Sequence, residues 1–368
     1  MKIDQIAFYH AQLKLKQPFS TSLSTRTHAN NVFISIRTKE GIIGWGECSP
    51  NLHINGETVA TCFAVGKLLG QQLIGTDPRN VNATSQLMDS LIYGNSSIKS
   101  AIDLAVHDIA AKANNQPLYQ FLGGSIKKNI YTDYTVSLMS VKKMVEDALI
   151  VTAKGFPIMK VKLGDDGKED IKRIKAIREA VGNEITIRID ANQGWGVQEA
   201  IDTLKGLAPY NIEYCEEPIA RHSFLQLKQV REASPVLIMA DESISDHHDA
   251  KNLIELEACD YFNIKLGKSS GLINAQKIIK HAEAANIKLQ IGGFLESKLL
   301  CTANCHLAHT SDNVTFFDFD SPLFIEHDPL IGGMQYHKDW EITLPESLGL
   351  GLEVDPNFLK TAQKLLID

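Results

Sequence analysis

The sequence predicts an α/β fold, a TIM-like (β/α)7β barrel preceded by an α+β domain. Three observations predict it. The first third of the 368 residues alternates as antiparallel strands do and then becomes helical. Most of the remainder repeats a short apolar run followed by a helical stretch, as βαβ units do. Polar residues follow the middle runs at intervals of 24 to 28 residues, close to the roughly 30 residues of one βαβ unit.

The first domain is predicted over residues 1–125. Apolar residues alternate in Ile3–Phe8 and again in Val32–Ile36, which indicates antiparallel strands, and Gly44-Trp45-Gly46 marks a hairpin. From Glu57 to about Gly123 the apolar residues recur at helical spacing, most clearly in Ser97–Ala113. Strands followed by helices indicate an α+β domain.

Two polar loops are predicted in this domain, from Phe19 to His28 and from Cys48 to Glu57. The first contains Arg26, and the second contains Pro50 and Gly56. Polar, glycine-bearing loops between well-patterned strands are usually turns, but loops of this length also supply lids over active sites. Both loops are therefore candidates to cover a site in the barrel.

The barrel is predicted over residues 126–322. Helical stretches separate eight short runs rich in β-branched and aromatic residues, so seven helices connect eight parallel strands. A doubly wound open sheet is the alternative, but it usually carries a glycine-rich phosphate loop after its first strand, and this sequence has none. The predicted strands lie near Tyr131–Leu138, Ile158–Leu163, Ile185–Ile189, Ile212–Cys215, Val236–Ala240, Tyr261–Ile264, Lys288–Ile291 and Val314–Phe317.

Residues 323–368 form a tail that is irregular and strand-like, with a last helix predicted from about Pro356. The tail contains too few apolar residues to build a core of its own. We therefore expect it to pack back on the N-terminal domain and to complete that domain.

Composition argues against several classes of function. The net charge is −7, from 37 basic and 44 acidic residues, and neither sign forms long blocks, which argues against a nucleic-acid partner. No apolar run approaches the ~20 residues that span a membrane, and residues 1–5 do not resemble a secretory signal. Six scattered cysteines are expected to be reduced thiols. A cytoplasmic location follows, while the oligomeric state stays open.

Three acidic residues at the ends of consecutive predicted strands are candidate metal ligands: Asp190, Glu216 and Asp241. One such acid would ordinarily be read as the N-cap of the following helix. Three of them converge, because the carboxyl ends of barrel strands meet at one mouth. Like charges packed together need a cation, and ligands that are all oxygen atoms favour Mg²⁺.

Lys162 and Lys265 lie on the strands that flank the three acids. In a barrel they approach the mouth from opposite walls, which suits removal of a proton from one face of a carbon and its return to the other. A lysine acts as a base only when its pKa is lowered, and a nearby cation lowers it. Lys160, on the same strand face as Lys162, is expected to supply that charge and to line the substrate site. The alternative is that these lysines are solvated residues at strand ends.

These motifs resemble the enolase superfamily, in its muconate lactonizing subgroup. The resemblance rests on Lys160-Val161-Lys162, Asp190-Ala191-Asn192, Glu216-Glu217-Pro218, Asp241-Glu242-Ser243 and Asn263-Ile264-Lys265, and it extends to Gly44-Trp45-Gly46-Glu47. It implies a capping domain on the barrel, Mg²⁺ held by the three acids, and Lys162 and Lys265 as acid and base. The shared step of the superfamily is removal of a proton next to a carboxylate.

The eighth strand indicates which branch of the superfamily the chain resembles. Asp318 and Asp320 are two residues apart at its end, and such a pair in a pocket needs a cation. The resemblance to dipeptide epimerases implies that they hold the substrate's α-ammonium group, and that Thr135 contacts the substrate. The alternative is a surface or helix-capping pair. The seventh strand lacks the histidine base of the mandelate racemase branch, and Glu296 there is expected to contact the substrate or to fix Lys265.

The sequence therefore predicts an isomerase, a Mg²⁺-dependent epimerase that transfers a proton at the α-carbon of a dipeptide's C-terminal residue. Phe19, Leu23, Leu52, Ile54 and Phe294 favour small or hydrophobic dipeptides. An L-Ala-D/L-Glu specificity would require Arg26 to bind an acidic side chain. An N-acylamino acid racemase or an o-succinylbenzoate synthase on the same scaffold is a further alternative, and a non-catalytic barrel that binds a metal or small ligand is another.

Overall fold

The computed structural model describes residues 1–126 and 128–368. The chain begins with three antiparallel strands, followed by four helices, of which the first and third pack on the sheet. Their bounds are β1 (Ile3–Ser20), β2 (Thr25–Thr38), β3 (Ile43–Cys48), α1 (Val59–Leu73), α2 (Val81–Leu91), α3 (Ser96–Ala113) and α4 (Leu118–Phe121). This order of strands and then helices is the predicted α+β cap.

The predicted loop from Phe19 to His28 is wrong. Strands β1 and β2 run through most of it as a long hairpin, in which Ser20 pairs with Thr25 and Phe19 pairs with Arg26. Only residues 21–24 form the turn. Thr25 and Thr27 are β-branched and suit a strand, but their polarity on both faces hides the alternation that marks a half-buried strand. The second predicted loop, after Cys48, is confirmed.

Strand β3 packs directly on helix α3, and two glycines make this contact close. A Cβ atom at Gly44 or Gly46 would overlap the backbone carbonyl of Ala105 or Ala101 on the helix. The glycines therefore set the distance between the sheet and the helix, which form the centre of the cap core around Phe8, a fully buried ring.

The second part of the chain is an eight-stranded parallel sheet that curls into the predicted (β/α)7β barrel, with its strands side by side in chain order. Its two edge strands meet where the Asp133 N–H donates to the Phe317 carbonyl at 3.4 Å. A short strand, β4 (Ile130–Tyr131), precedes it. The barrel comprises β5 (Tyr134–Val136), α5 (Val141–Ala153), β6 (Ile158–Lys162), α6 (Gly167–Val181), β7 (Thr186–Asp190), α7 (Val197–Leu207), β8 (Ile212–Glu216), α8 (Leu227–Ala233), β9 (Ile238–Ala240), α9 (His247–Glu255), β10 (Tyr261–Ile264), α10 (Leu272–Ala284), β11 (Lys288–Ile291), α11 (Lys298–Ala308) and β12 (Val314–Phe317).

The tail returns to both earlier parts of the chain. Its elements are α12 (Ser321–Phe324), β13 (Leu330–Gly332), β14 (Gln335–Tyr336), β15 (Glu341–Thr343), β16 (Leu352–Val354), α13 (Pro356–Thr361) and β17 (Lys364–Ile367). Strand β17 pairs with β1 and becomes the fourth strand of the cap sheet, while β15 pairs with β4. The helix predicted from about Pro356 is confirmed, but β17 was not predicted. The predicted domain boundary, between residues 125 and 126, falls beside Lys127, which lies outside the described residues.

All six cysteines are buried free thiols. Among the described residues, no helix combines the length and the apolar character needed to cross a membrane.

Candidate active site and metal centre

The three predicted metal ligands meet at the mouth of the barrel. Asp190 ends β7, Glu216 ends β8, and Asp241 follows β9 directly. Each offers a carboxylate oxygen, and these atoms all lie within 4.8 Å of one another with the side chains buried. The pairing of Asp190 with Glu216 in the parallel register explains the proximity, because the side chains of paired residues point to the same side of the sheet.

The donor set fits Mg²⁺, since it consists of carboxylate oxygens alone. Burial raises the pKa of Glu216, and the neighbouring Asp190 charge raises it further. Burial acts in the same direction on Asp241, but the ammonium groups of Lys265 and Lys268 outweigh it and hold the pKa of Asp241 well below its usual range. The cluster thus depends on nearby positive charge, which a divalent cation would supply.

The acids next to the ligands form hydrogen bonds around them. Glu217 accepts from the Asp241 N–H at 2.7 Å and from the Ser243 N–H at 3.2 Å, so it fixes the chain that carries Asp241. Asn192 donates to Glu242 at 3.3 Å, and both line the cavity at the barrel mouth. This cavity is called the substrate cavity below.

Lys162 and Lys265 lie on opposite walls of the substrate cavity. Lys162 ends β6 and Lys265 directly follows β10, and these strands are four steps apart in the eight-stranded order. The Lys162 Nζ is 2.6 Å from Asp190 Oδ2, and the Lys265 Nζ is 2.7 Å from Asp241 Oδ2. Both side chains reach the cavity. Two amines therefore face the cavity from two sides.

The expected lowering of a lysine pKa is not produced by the protein groups around Lys265. Burial lowers the pKa of Lys265, but the charges of Asp241 and Glu216 outweigh it and raise the pKa above the usual value. Those carboxylates are predicted metal ligands, so a cation bound to them would oppose this effect.

Lys160 lies deeper than expected. It is fully buried, does not line the substrate cavity, and places its Nζ 2.7 Å from Glu216 Oε2 and 2.7 Å from Asp318 Oδ2. The alternation of a strand indicates which face a residue occupies but not its depth in the barrel. Lys160 therefore links the two acidic groups from below.

Asp318 and Asp320 follow β12 and line the substrate cavity on the side next to β5. Asp320 accepts from the Thr135 N–H at 2.6 Å, and Thr135 also lines the cavity. Burial and the charges of Asp318 and Asp133 raise the pKa of Asp320. This corner of the cavity therefore carries carboxylates that a cationic ligand would stabilise.

The cap closes the substrate cavity from above. Arg26, Phe19, Leu23 and Ile54 line it, and burial lowers the pKa of Arg26. Within the described part of the chain, Arg26 has no carboxylate within ion-pair distance. Leu52 was expected here, but it does not line the cavity and is 61% exposed, because it lies on the outer side of the loop after β3.

Two family models cover most of the chain. Residues 4–123 match the N-terminal domain of mandelate racemase / muconate lactonizing enzyme, and residues 143–358 match the enolase C-terminal domain-like family. The chain belongs to the enolase superfamily.

Superfamily members with known activity resemble this one over their whole length. A D-Ala-D/L-Ala epimerase from Cytophaga hutchinsonii is 48% identical, with all of both chains covered. The crystal structure of a dipeptide epimerase from that organism, with Mg and D-Ala-L-Val, has a TM-score of 0.99 and covers all of both chains. The crystal structure of a dipeptide epimerase from Enterococcus faecalis, with Mg and L-Leu-L-Tyr, is 36% identical, covers 96% of this chain and 100% of that one, and has a TM-score of 0.93. An N-succinyl-L-Arg/Lys racemase from Bacillus cereus is 35% identical, over 98% of this chain and 97% of its own.

In this superfamily member, Lys268 was missed by sequence reasoning. Its Nζ is 2.6 Å from Asp241 Oδ1 and also donates to the backbone carbonyls of Asp241 and Asn263. The side chain is buried and fixes the second oxygen of a predicted metal ligand. The available signal was its position, three residues after Lys265. The turn after β10 directs Lys268 inwards, and the strand pattern does not predict that turn.

Glu296 does not reach the substrate cavity. It accepts from the Phe294 N–H at 3.0 Å and from the Asn304 amide at 3.2 Å, and burial raises its pKa to about 8. Its contacts shape the loop after β11 and so place Phe294, whose ring lies 5.2 Å from the Lys265 Nζ. The expected role of Glu296 in fixing Lys265 stays a prediction.

Proposed function

We propose that this member of the enolase superfamily is a Mg²⁺-dependent dipeptide epimerase that inverts the α-carbon of the C-terminal residue. The observation that carries the proposal is one arrangement at the barrel mouth. Two lysines lie on opposite walls of the substrate cavity, an acidic pair lies at one corner of it, and the carboxylate trio is in ion-pair contact with both lysines. Its relatives from Cytophaga hutchinsonii and Enterococcus faecalis are epimerases of dipeptides, which supports the same reaction here.

Asp190, Glu216 and Asp241 are the residues that would hold Mg²⁺. The bound ion would offset the negative charge that builds up on the substrate carboxylate as the α-proton leaves. The side chains do the rest: one lysine in its neutral form accepts the α-proton, and the other, as an ammonium, donates a proton to the opposite face. The substrate loses one proton and gains one. In the reverse reaction Lys162 and Lys265 exchange their roles as base and acid.

Asp318 and Asp320 would bind the α-ammonium group at the other end of the dipeptide. A charge-assisted hydrogen bond of this kind contributes about 1.5–3 kcal/mol. The pair also distinguishes this proposal from an N-acylamino acid racemase, since an N-acyl substrate carries no ammonium group there. An N-acylamino acid racemase is the second candidate function, because the racemase from Bacillus cereus is similar to this chain over 97% of its own length.

The side-chain pocket favours small or hydrophobic dipeptides. Phe19, Leu23, Ile54 and Phe294 line it, and they offer apolar surface. Arg26 supplies one positive charge at the same wall, so a dipeptide with an acidic residue is the second candidate substrate. Relatives of both kinds occur: a hydrophobic dipeptide epimerase from Enterococcus faecalis and an L-Ala-D/L-Glu epimerase from Bacillus subtilis.

The test is a dipeptide library incubated with the enzyme and Mg²⁺ in D₂O, with deuterium at the C-terminal α-position measured by mass spectrometry. We expect uptake with free dipeptides, none after chelation of the metal, and none with Lys162→Ala and Lys265→Ala combined. N-succinyl and N-acetyl amino acids form the second arm. Exchange of these compounds in place of every free dipeptide would contradict the proposal in favour of a racemase.

We infer further that the enzyme is cytoplasmic, because six buried cysteines are free thiols, as expected in a reducing compartment. Cell fractionation tests the location. Cap and barrel enzymes of this size often associate, and light scattering on the purified protein would establish whether this one forms a homo-oligomer.

A further inference from the structure

A second cavity adjoins the substrate cavity, at the junction of cap, barrel and tail. Its lining includes Lys16 from β1, Tyr134 from β5, and Asp147 and Lys154 from the α5 region. We call it the side cavity. Thr135 and Phe324 line both cavities, so these two residues form the wall between them.

Phe324 is the larger part of this wall. It is 5% exposed, and its ring lies between the rings of Phe19 and Tyr134, with centroids 5.4 Å and 5.1 Å away. It ends the short helix α12, which begins directly after Asp320. Because Asp320 and Phe324 are one helical turn apart, the ring has a defined position relative to the acidic pair.

The chain direction of a bound peptide follows from the proposed function, on which this inference rests. The C-terminal carboxylate lies at the Asp190, Glu216 and Asp241 trio, and the ammonium group lies at Asp318 and Asp320. A third residue on the amino side would add ~3.5 Å of extended chain. Thr135 and Phe324 separate this end of the substrate cavity from the side cavity, so the added length would meet this wall.

We propose that Phe324 limits the substrate to two residues by closing the substrate cavity directly behind the ammonium site. The acidic pair attracts the charge of a free amino terminus, whereas the ring excludes chain that continues beyond it. Without the ring, the two cavities become one. An added residue then enters the side cavity, where the carboxylate of Asp147 can attract its ammonium group.

The charges in the side cavity are mixed. Asp147 is already paired with Lys143 at 2.6 Å, and the Lys154 Nζ lies 5.4 Å from the centre of the Tyr134 ring. Lys16 donates to the Leu323 carbonyl at 2.8 Å. A tripeptide ammonium would therefore be held less firmly here than a dipeptide ammonium at Asp318 and Asp320, so KM for the longer substrate stays the higher of the two.

The experiment compares L-Ala-L-Ala with L-Ala-L-Ala-L-Ala in D₂O with Mg²⁺, measuring deuterium at the C-terminal α-position by NMR. For Phe324→Ala we expect the ratio of tripeptide to dipeptide exchange rates to rise at least tenfold above wild type. Ile150→Ala is the matched control, because Ile150 lines the side cavity alone. It enlarges that cavity without opening the wall, so its ratio stays at the wild-type value.

Phe324→Leu provides a second variant that keeps apolar packing, and circular dichroism checks that each variant is folded. We expect Phe324→Leu to raise the ratio of tripeptide to dipeptide exchange rates less than Phe324→Ala does. A merely structural role would lower both exchange rates and leave the ratio unchanged in both variants, which overturns the inference. Wild-type enzyme that exchanges the tripeptide as fast as the dipeptide also overturns it. A wild-type enzyme that exchanges no dipeptide would instead contradict the proposed function and this inference with it.

Discussion

The two lysines of the substrate cavity have different surroundings, although their proposed roles mirror each other. Lys162 contacts Asp190, while Lys265 contacts Asp241, lies 3.9 Å from Glu216 and faces the ring of Phe294. In the proposed reaction, each lysine amine lies on one face of the α-carbon. Removal of one lysine should therefore affect the two epimers of a substrate differently.

Replacing either lysine by alanine should abolish epimerisation, with a fall of about 10³-fold or more, because general acid and base catalysis contributes about 10²–10⁴ per group. Each variant should still exchange the α-proton of one epimer, through the remaining lysine. Chiral analysis of deuterated dipeptide measures this. Lys172→Ala, at an exposed lysine of α6, is the control. Exchange of both epimers by a single-lysine variant would contradict the two-sided arrangement.

Asp320→Asn should lower kcat/KM for free dipeptides by about 10–100-fold, since a hydrogen bond to a charged group is worth about 1.5–3 kcal/mol. The amide oxygen can still accept from the Thr135 N–H, so the fold should persist. Steady-state kinetics measures the change. Asp312→Asn, at an exposed turn, should have no effect. An equal loss with N-acyl substrates would show that Asp320 acts by some means other than ammonium binding.

Among the elements, β3 and α3 form the closest contact, because Gly44 and Gly46 leave no room for a side chain between strand and helix. We expect Gly46→Ala to lower the free energy of unfolding by about 3 kcal/mol, through overpacking against a backbone that cannot move away. Urea unfolding measures it. Gly196→Ala is the control, since a Cβ there meets open space at a negative φ. Equal stability of the two variants would contradict the close contact.

The elements that could be predicted from the sequence are those marked by a pattern of residues within the element itself. The barrel strands are buried on both faces, so each appears as a short apolar run, and the bounds of β10, β11 and β12 are as predicted. Strand β17 could not be found this way, because it is stabilised by pairing with β1 at the other end of the chain. The ends of β1 and β2 were taken for a loop because their exposed, two-sided polarity resembles one.

The same distinction applies to the site. The convergence of the three acids and both lysines could be predicted, because one polar group follows each middle strand and the barrel brings strand ends together. Depth and side-chain direction depend on tertiary packing. Lys160 and Glu296 therefore lie outside the cavity they were expected to line, and Lys268 contacts a predicted ligand that the strand pattern did not connect with it.

At the scale of the whole molecule, cap and barrel are joined by buried polar contacts at the ends of barrel helices. Glu47 of β3 accepts from the Ser297 and Leu300 N–H groups at the start of α11, at 2.9 and 3.0 Å, and burial raises its pKa to about 7. Asp103 of α3 accepts from the Leu272 N–H at the start of α10, at 2.6 Å. Carboxylates suit these positions, since helix N-termini carry free N–H groups and a positive dipole end. The cap, which supplies Arg26 and Phe19, is thereby held over the mouth.

The other end of α11 is joined to the cap and the tail by a neutral histidine. His306 Nδ1 accepts from the Tyr119 N–H at 3.1 Å, and its Nε2–H faces the Leu350 carbonyl at 3.4 Å. Burial lowers the pKa of His306 to about 3, whereas an unfolded histidine has a pKa of about 6.5. The folded state therefore binds fewer protons than the unfolded state between these values. The contribution of His306 is fully present above pH ~6.5 and is lost as the pH falls towards 3.

His306→Gln should consequently flatten the dependence of stability on pH. Between pH 7 and 5 the wild type should lose about 2 kcal/mol more than the variant, from the linkage of one histidine with these two pKa values. At pH 8 the variant should be the less stable of the two, because a glutamine cannot place its oxygen and nitrogen where both ring nitrogens lie. Urea unfolding at several pH values measures both effects, with His53→Gln, at an exposed position, as the control. If the free energy of unfolding varied with pH in the same way for wild type and His306→Gln, protonation of His306 would not be what destabilises the fold. Other groups would then cause the loss of stability at low pH.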